Sequence, residues 1–143
     1  MLKSNDRYRL ITLLLKIANS INKDRNAHLR KINLTSRQGD ILVYIHDHSD
    51  CTMTDLALYM NCTHQTVQEI IKKMIAKHLL AARRSVQDGR YQIIELTSKG
   101  RKESAIIAGK NANTGKELLK GMSNQKQKLL LKLLIESFNN LKI

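Results

Sequence analysis

Residues 63–96 read THQTVQEIIKKMIAKHLLAARRSVQDGRYQIIEL, and two different periods meet inside them. Val67, Ile70, Ile71, Met74 and Ile75 recur at steps of three and four, the spacing of one apolar stripe along an α-helix. Thr63 stands in front of them with a short side-chain oxygen able to cap the helix start. Past Lys77-His78 the period changes. Residues 79–86 and 91–96 read as strands, and Gln87-Asp88-Gly89-Arg90 between them carries an Asp-Gly hairpin signal.

Upstream, Thr52 or Thr54 opens a short helix carrying Leu56, Ala57 and Met60, which ends at Asn61-Cys62. Before it, Leu34-Thr35 starts another helix, with Thr35 as N-cap and Gln38 at the capping-box position. Ile41, Leu42 and Ile45 form its stripe, and it frays near His46-Asp47-His48. Residues 6–30 place Leu10, Leu13, Leu14, Ile17, Ala18 and Ile21 on one face of a long helix with a basic opposite face. Downstream, Thr97 caps a helix through Ala105, Ile106 and Ile107, weakened by Gly109 and Gly115. A last helix begins near Ser123 and carries Leu129, Leu130, Leu133, Leu134, Phe138 and Leu141. Two helices joined by a turn and followed by a hairpin make a winged helix-turn-helix. The expected fold is therefore mainly α with a small β-hairpin wing, flanked by N- and C-terminal dimerisation helices.

The 143 residues suit one domain, and a chain of that size buries roughly two-thirds of its unfolded surface. Within 1–143, residues 34–100 form the winged region and residues 6–30 and 118–143 the flanking helices. Aromatics make up only 3% of the chain, so the core is aliphatic. There is no proline, which favours uninterrupted helix. Lys and Arg number 25 against 12 Asp and Glu, a net charge of +13. That excess repels itself unless a polyanion is the partner, and nucleic acid is the first candidate. The opening Met1-Leu2-Lys3-Ser4 lacks the pattern of a signal peptide, and no apolar run reaches the roughly 18–20 residues that cross a bilayer. The expectation is a cytoplasmic chain with no membrane partner.

The helix after Thr63 has what a reader of duplex DNA needs. With its apolar stripe turned inward, Gln65, Gln68, Glu69 and Lys72 project outward, and His64 and Thr66 border the first turn. Gln pairs bidentately with adenine, and Thr contacts phosphate or a thymine methyl. Thr63, Lys72, Lys73 and Arg37 are candidates for phosphate contact. In the hairpin, Arg84 and Arg90 are the candidate wing contacts. A tip arginine fits the negative potential of a minor groove, with Asp88 placed to orient the Arg90 guanidinium. The alternatives are a solvated polar helix face and a hairpin whose charges only protect an edge.

Taken in order, Leu34-Thr35-x-x-Gln38, Asp55-Leu56-Ala57, Thr66-Val67, Asp88-x-Arg90 and Leu96-Thr97-x-Lys99-Gly100 resemble the multiple-antibiotic-resistance regulator (MarR) family over residues 34–100. The resemblance implies an obligate homodimer whose terminal helices intertwine. It implies two winged units on a palindromic promoter operator in double-stranded DNA, with Gln65 and Thr66 in the major groove and Arg90 in the minor groove. It also implies a small-molecule effector, whose identity nothing in the chain names. His78 stands where the family often has a glycine, and a left-handed backbone is expected of it. Gly39 stands where a bulky residue is common. Independently of the family, Leu10, Leu14, Ile17 and Ile21 at one end, and Leu130, Leu134, Phe138 and Leu141 at the other, exceed what a small winged unit needs to cover and mark an interface.

The expected function is sequence-specific regulation of transcription, with repression the expected sign. The alternative is a sequence-independent architectural or RNA-binding protein that relies on charge. A third reading is an interaction protein that kept the fold and lost DNA binding. His46, His48, Cys51, Cys62 and His64 match no standard zinc spacing, so no metal or cofactor is expected. Cys62, ahead of the reading helix, suits a redox sensor only if its thiol is activated. No catalytic constellation is present, and no enzyme activity is expected.

Overall fold

A computed structural model of the chain describes residues 1–141; Lys142 and Ile143, the end of the expected 118–143 segment, lie outside the described residues. The elements are α1 (Ser4–Lys31), α2 (Ser36–Asp47), β1 (Cys51–Thr52), α3 (Met53–Met60), α4 (His64–Ala76), β2 (Leu80–Arg84), β3 (Gln92–Leu96), α5 (Ser98–Leu118) and α6 (Asn124–Leu141). The three strands form one antiparallel sheet in the order β1-β3-β2. Two compact units are distinguished, Met1–Lys110 and Asn111–Ile143.

In the first unit the helix starts follow the cap residues. Thr35 accepts the Gln38 N–H while the Gln38 side chain accepts the Thr35 N–H, a reciprocal capping box. Thr52, not Thr54, caps α3, and Asp55 takes the place usually held by Glu or Gln. Thr63 caps α4 and Thr97 caps α5. The helix ends use left-handed residues without glycine: Asn33, Asn61 and His78 have φ of 57°, 49° and 61°. His78 therefore takes the conformation expected of it.

The core of this unit is aliphatic. Ile41 and Leu42 of α2, Leu56 of α3, and Val67, Ile71 and Met74 of α4 are sealed from solvent. Each such side chain contributes about 1.5–3 kcal/mol by burial. Ile75, expected on the buried stripe of α4, is instead 39% exposed. Gly39 explains how α1 and α2 meet, because a Cβ there would come within 2.8 Å of Leu29 Cδ2. A bulky residue would push Leu29, the one buried residue of α1, out of its seat. An ion pair between Arg25 and Asp40 joins the same two helices. Close by, Tyr44 stacks on His48 with ring centres 4.1 Å apart and on Tyr59 at 4.3 Å.

The wing departs from the two-residue hairpin that Asp88-Gly89 suggested. Its strands stop at Arg84 and resume at Gln92. Gly89 has no positive φ, and side chains close the loop instead. Ser85 Oγ accepts the Asp88 N–H at 3.3 Å, and Ser85 N–H donates to the Tyr91 carbonyl at 2.9 Å. β1, which local sequence did not announce, pairs Cys51 with Ile94 and Thr52 with Ile93.

In the second unit, Ser123 accepts the Lys126 N–H at the start of α6. No residue of α6 is buried. Leu118, Leu119, Leu130, Leu131 and Leu134 line an open apolar groove of about 360 Å³. Among the described residues no helix is long and apolar enough to cross a membrane. No group of three or more His, Cys, Asp or Glu that could hold a metal ion is found among them either.

Candidate nucleic-acid interface

The outward face of α4 follows from its inward one. With Val67, Ile71 and Met74 buried, His64, Gln65, Gln68, Lys72 and Lys73 are exposed. His64, Gln68 and Lys72, at i, i+4 and i+8, form one stripe. Thr63 is exposed, but its hydroxyl is occupied as the cap: it accepts the Thr66 N–H at 3.2 Å and lies 2.9 Å from the Thr66 hydroxyl. Thr66 is half-buried, so this pair ties the first turn together as well as facing outward. Arg37 is exposed on the first turn of α2.

Four of the expected residues share one surface. His64 and Gln68 of α4, Arg84 at the end of β2, and Arg90 in the wing loop line a single open groove of about 750 Å³. Thr52, Met53 and Thr54 at the start of α3, with Gly89, Tyr91 and Gln92 of the wing, complete its walls. Gln65, Thr66, Lys72, Lys73 and Arg37 do not line this groove. Tyr91 and Gln92 were not singled out from the sequence, and Thr54 was named only as an alternative cap. Their place depends on how the wing stands over α3, which no local period records.

Within the wing, Asp88 and Arg90 form a two-pronged pair. Arg90 Nη2 donates to Asp88 Oδ2 at 2.9 Å and Nε to Oδ1 at 3.1 Å, and the Arg90 backbone N–H adds a bond to Oδ1 at 3.1 Å. These bonds hold the Asp88 carboxyl below the usual carboxylate range. They also raise the Arg90 guanidinium further above its ordinary value. Arg90 nonetheless leaves 86% of its side chain exposed, so the pairing orients the cation without removing it from solvent. Arg83 behaves differently: it donates to Glu95 and Asp50, each at 3.1 Å, and is engaged across the sheet. Of the two adjacent arginines, Arg84 is the one that reaches the groove.

The end of α4 is held by the L-T-x-K-G segment. Thr97 donates its hydroxyl to the His78 carbonyl and its N–H to the Leu79 carbonyl. Gly100 lies beneath the same turn, where a Cβ would fall 2.0 Å from the Leu79 oxygen. Only glycine permits that approach. Cys51 is buried, and burial first, then the neighbouring Asp55 charge, pushes its thiol up to about 12. A thiol kept protonated is a poor redox nucleophile. Cys62 is half-buried in front of the Thr63 cap.

The arrangement is a shallow, cation-lined groove beside a helix whose exposed side chains donate and accept hydrogen bonds. It can engage a polyanion and discriminate among hydrogen-bonding edges. Residues 32–90 match the model of the MarR family. The uncharacterized HTH-type transcriptional regulator YdgJ of Bacillus subtilis (strain 168) is 24% identical over 102 residues, 71% of this chain. The match spans 62% of the length of that relative. Among solved structures, Streptococcus pneumoniae FabT in complex with DNA superposes with a TM-score of 0.85 at 21% identity, covering 95% of this chain and 99% of that one. MarR from Oenococcus oeni PSU-1 gives 0.76 at 23%, covering 91% and 98%. The S. aureus MepR–DNA complex gives 0.75 at 20%, covering 99% and 100%. Over residues 32–90 the chain is thus similar to the MarR family, and it shares the winged fold of these structures.

Proposed function

We propose that the chain is a homodimeric, sequence-specific regulator of transcription that binds double-stranded DNA at a palindromic operator and acts there as a repressor. The observation that carries this reading is the groove in which His64, Gln68, Arg84 and Arg90 meet, beside the exposed face of α4. In the reading, α4 enters the major groove with His64, Gln65, Thr66 and Gln68 toward base edges. Thr63, Lys72, Lys73 and Arg37 meet phosphates on either side. Arg84 and Arg90, the latter oriented by Asp88, follow the backbone and the minor groove. The net charge of +13 supplies the non-specific attraction. FabT and MepR, two proteins with this fold, are described in complexes with DNA.

Dimerisation is assigned to the apolar faces of the terminal helices. Leu10, Leu14 and Ile17 of α1 are exposed and Ile21 is half-buried. On α6, Leu134, Phe138 and Leu141 are exposed and Leu130 is half-buried. A second copy removes such surface from water. A two-fold dimer then sets half-sites about one helical turn, roughly 34 Å, apart. A small-molecule effector would act by changing that spacing. The chain works in the cytoplasm, where the DNA is, and no catalytic step is assigned to it.

The test is selection from a random duplex pool at about 0.15 M salt. Enrichment of an inverted repeat with half-sites one turn apart is the expected result. Enrichment of nothing, with binding that disappears as salt rises, supports the architectural or RNA-binding alternative, which the charge alone would sustain.

A further inference from the structure

Two short motifs form the ends of the winged region, Leu34-Thr35-Ser36-Arg37-Gln38 and Leu96-Thr97-Ser98-Lys99-Gly100, and both bond to the segment of three residues that follows α4. Lys77 reaches away from its own helix. Its Nζ donates to the Asn33 carbonyl at 2.6 Å and to Gln38 Oε1 at 3.3 Å, 44 and 39 residues away in the chain. The left-handed Asn33 turns its carbonyl to the ammonium, and Gln38 Oε1 is already fixed by accepting the Thr35 N–H. On the other side, Lys99 Nζ donates to the Lys77 carbonyl at 3.3 Å. With Thr97 on the His78 and Leu79 carbonyls, three consecutive carbonyls after α4 each accept a bond from the α5 segment.

We propose that Lys77 is a positioning residue that locks the rotation of α4 about its axis, and so sets how well its outward side chains discriminate one sequence from another. The proposal rests on the reading of α4 as the element that meets DNA. The apolar stripe of Val67, Ile71 and Met74 attracts α4 to the core, but burial is non-directional and tolerates a small roll. Base-edge contacts do not tolerate it, because a recognition group must be held within roughly 0.5 Å of its productive place. The cap at Thr63 is local to α4 and fixes nothing outside it. The bonds from Lys77 to the α1–α2 turn and from α5 to the 77–79 carbonyls are directional and come from elements that α4 does not contain. They supply the missing constraint.

Lys77→Met keeps the aliphatic stem and removes the ammonium. Two measurements decide the outcome: amide exchange at His78 and Leu79, whose N–H groups bond to the Ile75 and Met74 carbonyls, and the ratio of affinities for the selected inverted repeat and a random duplex. The buried Leu56 amide in α3 serves as the exchange reference. Exchange at His78 and Leu79 is expected to rise about tenfold relative to Leu56, and the affinity ratio to fall about tenfold, roughly the discrimination carried by one good base contact. Gln38→Glu, which keeps an acceptor for both Thr35 and Lys77, is expected to keep both values. Should Lys77→Met not fold, Lys77→Gln is read in the same way. Unchanged exchange overturns the lock, and faster exchange with an unchanged ratio overturns its part in discrimination. If the wild-type protein prefers no sequence, the DNA reading fails and discrimination by Lys77 fails with it, while the exchange measurement still decides whether the lock exists.

Discussion

The winged region and the C-terminal helix are both rich in leucine and isoleucine, yet they use those residues in opposite ways. Between Leu34 and Gly100, α2, α3, α4 and α5 each start on a side-chain cap, and the apolar stripes close on one another. α6 also starts on a cap, Ser123, and carries an equally regular stripe, yet buries none of it. Periodicity and capping therefore do not distinguish a buried stripe from an exposed one. Closure by directional bonds from other elements, such as those of Lys77, Thr97 and Lys99 around α4, marks the buried one.

The sharpest test of that contrast is a pair of truncations. Leu56→Ala, inside the winged core, is expected to cost about 2–5 kcal/mol in urea unfolding. Leu134→Ala on α6 is expected to cost within about 0.5 kcal/mol in dilute protein, as a surface change does. On the proposed dimer it raises the dissociation constant instead, which sedimentation at several concentrations measures. Equal losses at low concentration would erase the distinction between the two regions.

Gly100→Ala probes the bond closure itself. The added methyl meets the Leu79 carbonyl oxygen, so about 1–3 kcal/mol of stability is expected to go, read as a shift of the urea midpoint. A wild-type midpoint would mean that the turn after α4 yields freely.

Arg90→Ala is expected to leave the urea midpoint within about 0.5 kcal/mol, since Arg90 is exposed, while weakening DNA binding. The slope of log affinity against log salt should fall by about one. An unchanged slope places the wing away from the phosphates.

The smallest effect concerns pH. The Arg90 bonds lower the folded Asp88 carboxyl below its unfolded value. Its contribution is therefore fully present above the ordinary aspartate range and is lost as pH falls through the lowered folded value. Carboxyl chemical shifts in an acid titration should show Asp88 titrating below the ordinary aspartate range. Arg90→Ala should move it back up toward that range.

Much of the winged region was legible because its signals are local. Thr35 with Gln38, Thr63 and Thr97 are caps that act within four residues, and the stripe of α4 needs no knowledge of what it packs on. What stayed hidden depends on distant partners. β1 is two residues long and exists only through pairing with Ile93 and Ile94. Ile75 fits the helical period but sits at the edge of the docking face, where the core ends. Arg83 and Arg84 are indistinguishable in sequence, and only the sheet assigns one to Glu95 and Asp50 and the other to the groove. The wing residues Tyr91 and Gln92 were missed for the same reason.

The tyrosine stack has an optical consequence. The chain has no tryptophan, four tyrosines and one phenylalanine, which lies on α6. Near-ultraviolet dichroism must therefore come largely from tyrosine, and the Tyr44–Tyr59 pair, 4.3 Å apart, joins α2 to α3. Rings fixed in an offset stack give an asymmetric signal that free rings lack. The protein carries its own chromophore at the junction of the two helices that precede α4. A change in that band on adding a small aromatic compound or an oligonucleotide would report, without any label, whether the α2–α3 packing moves when α4 is engaged.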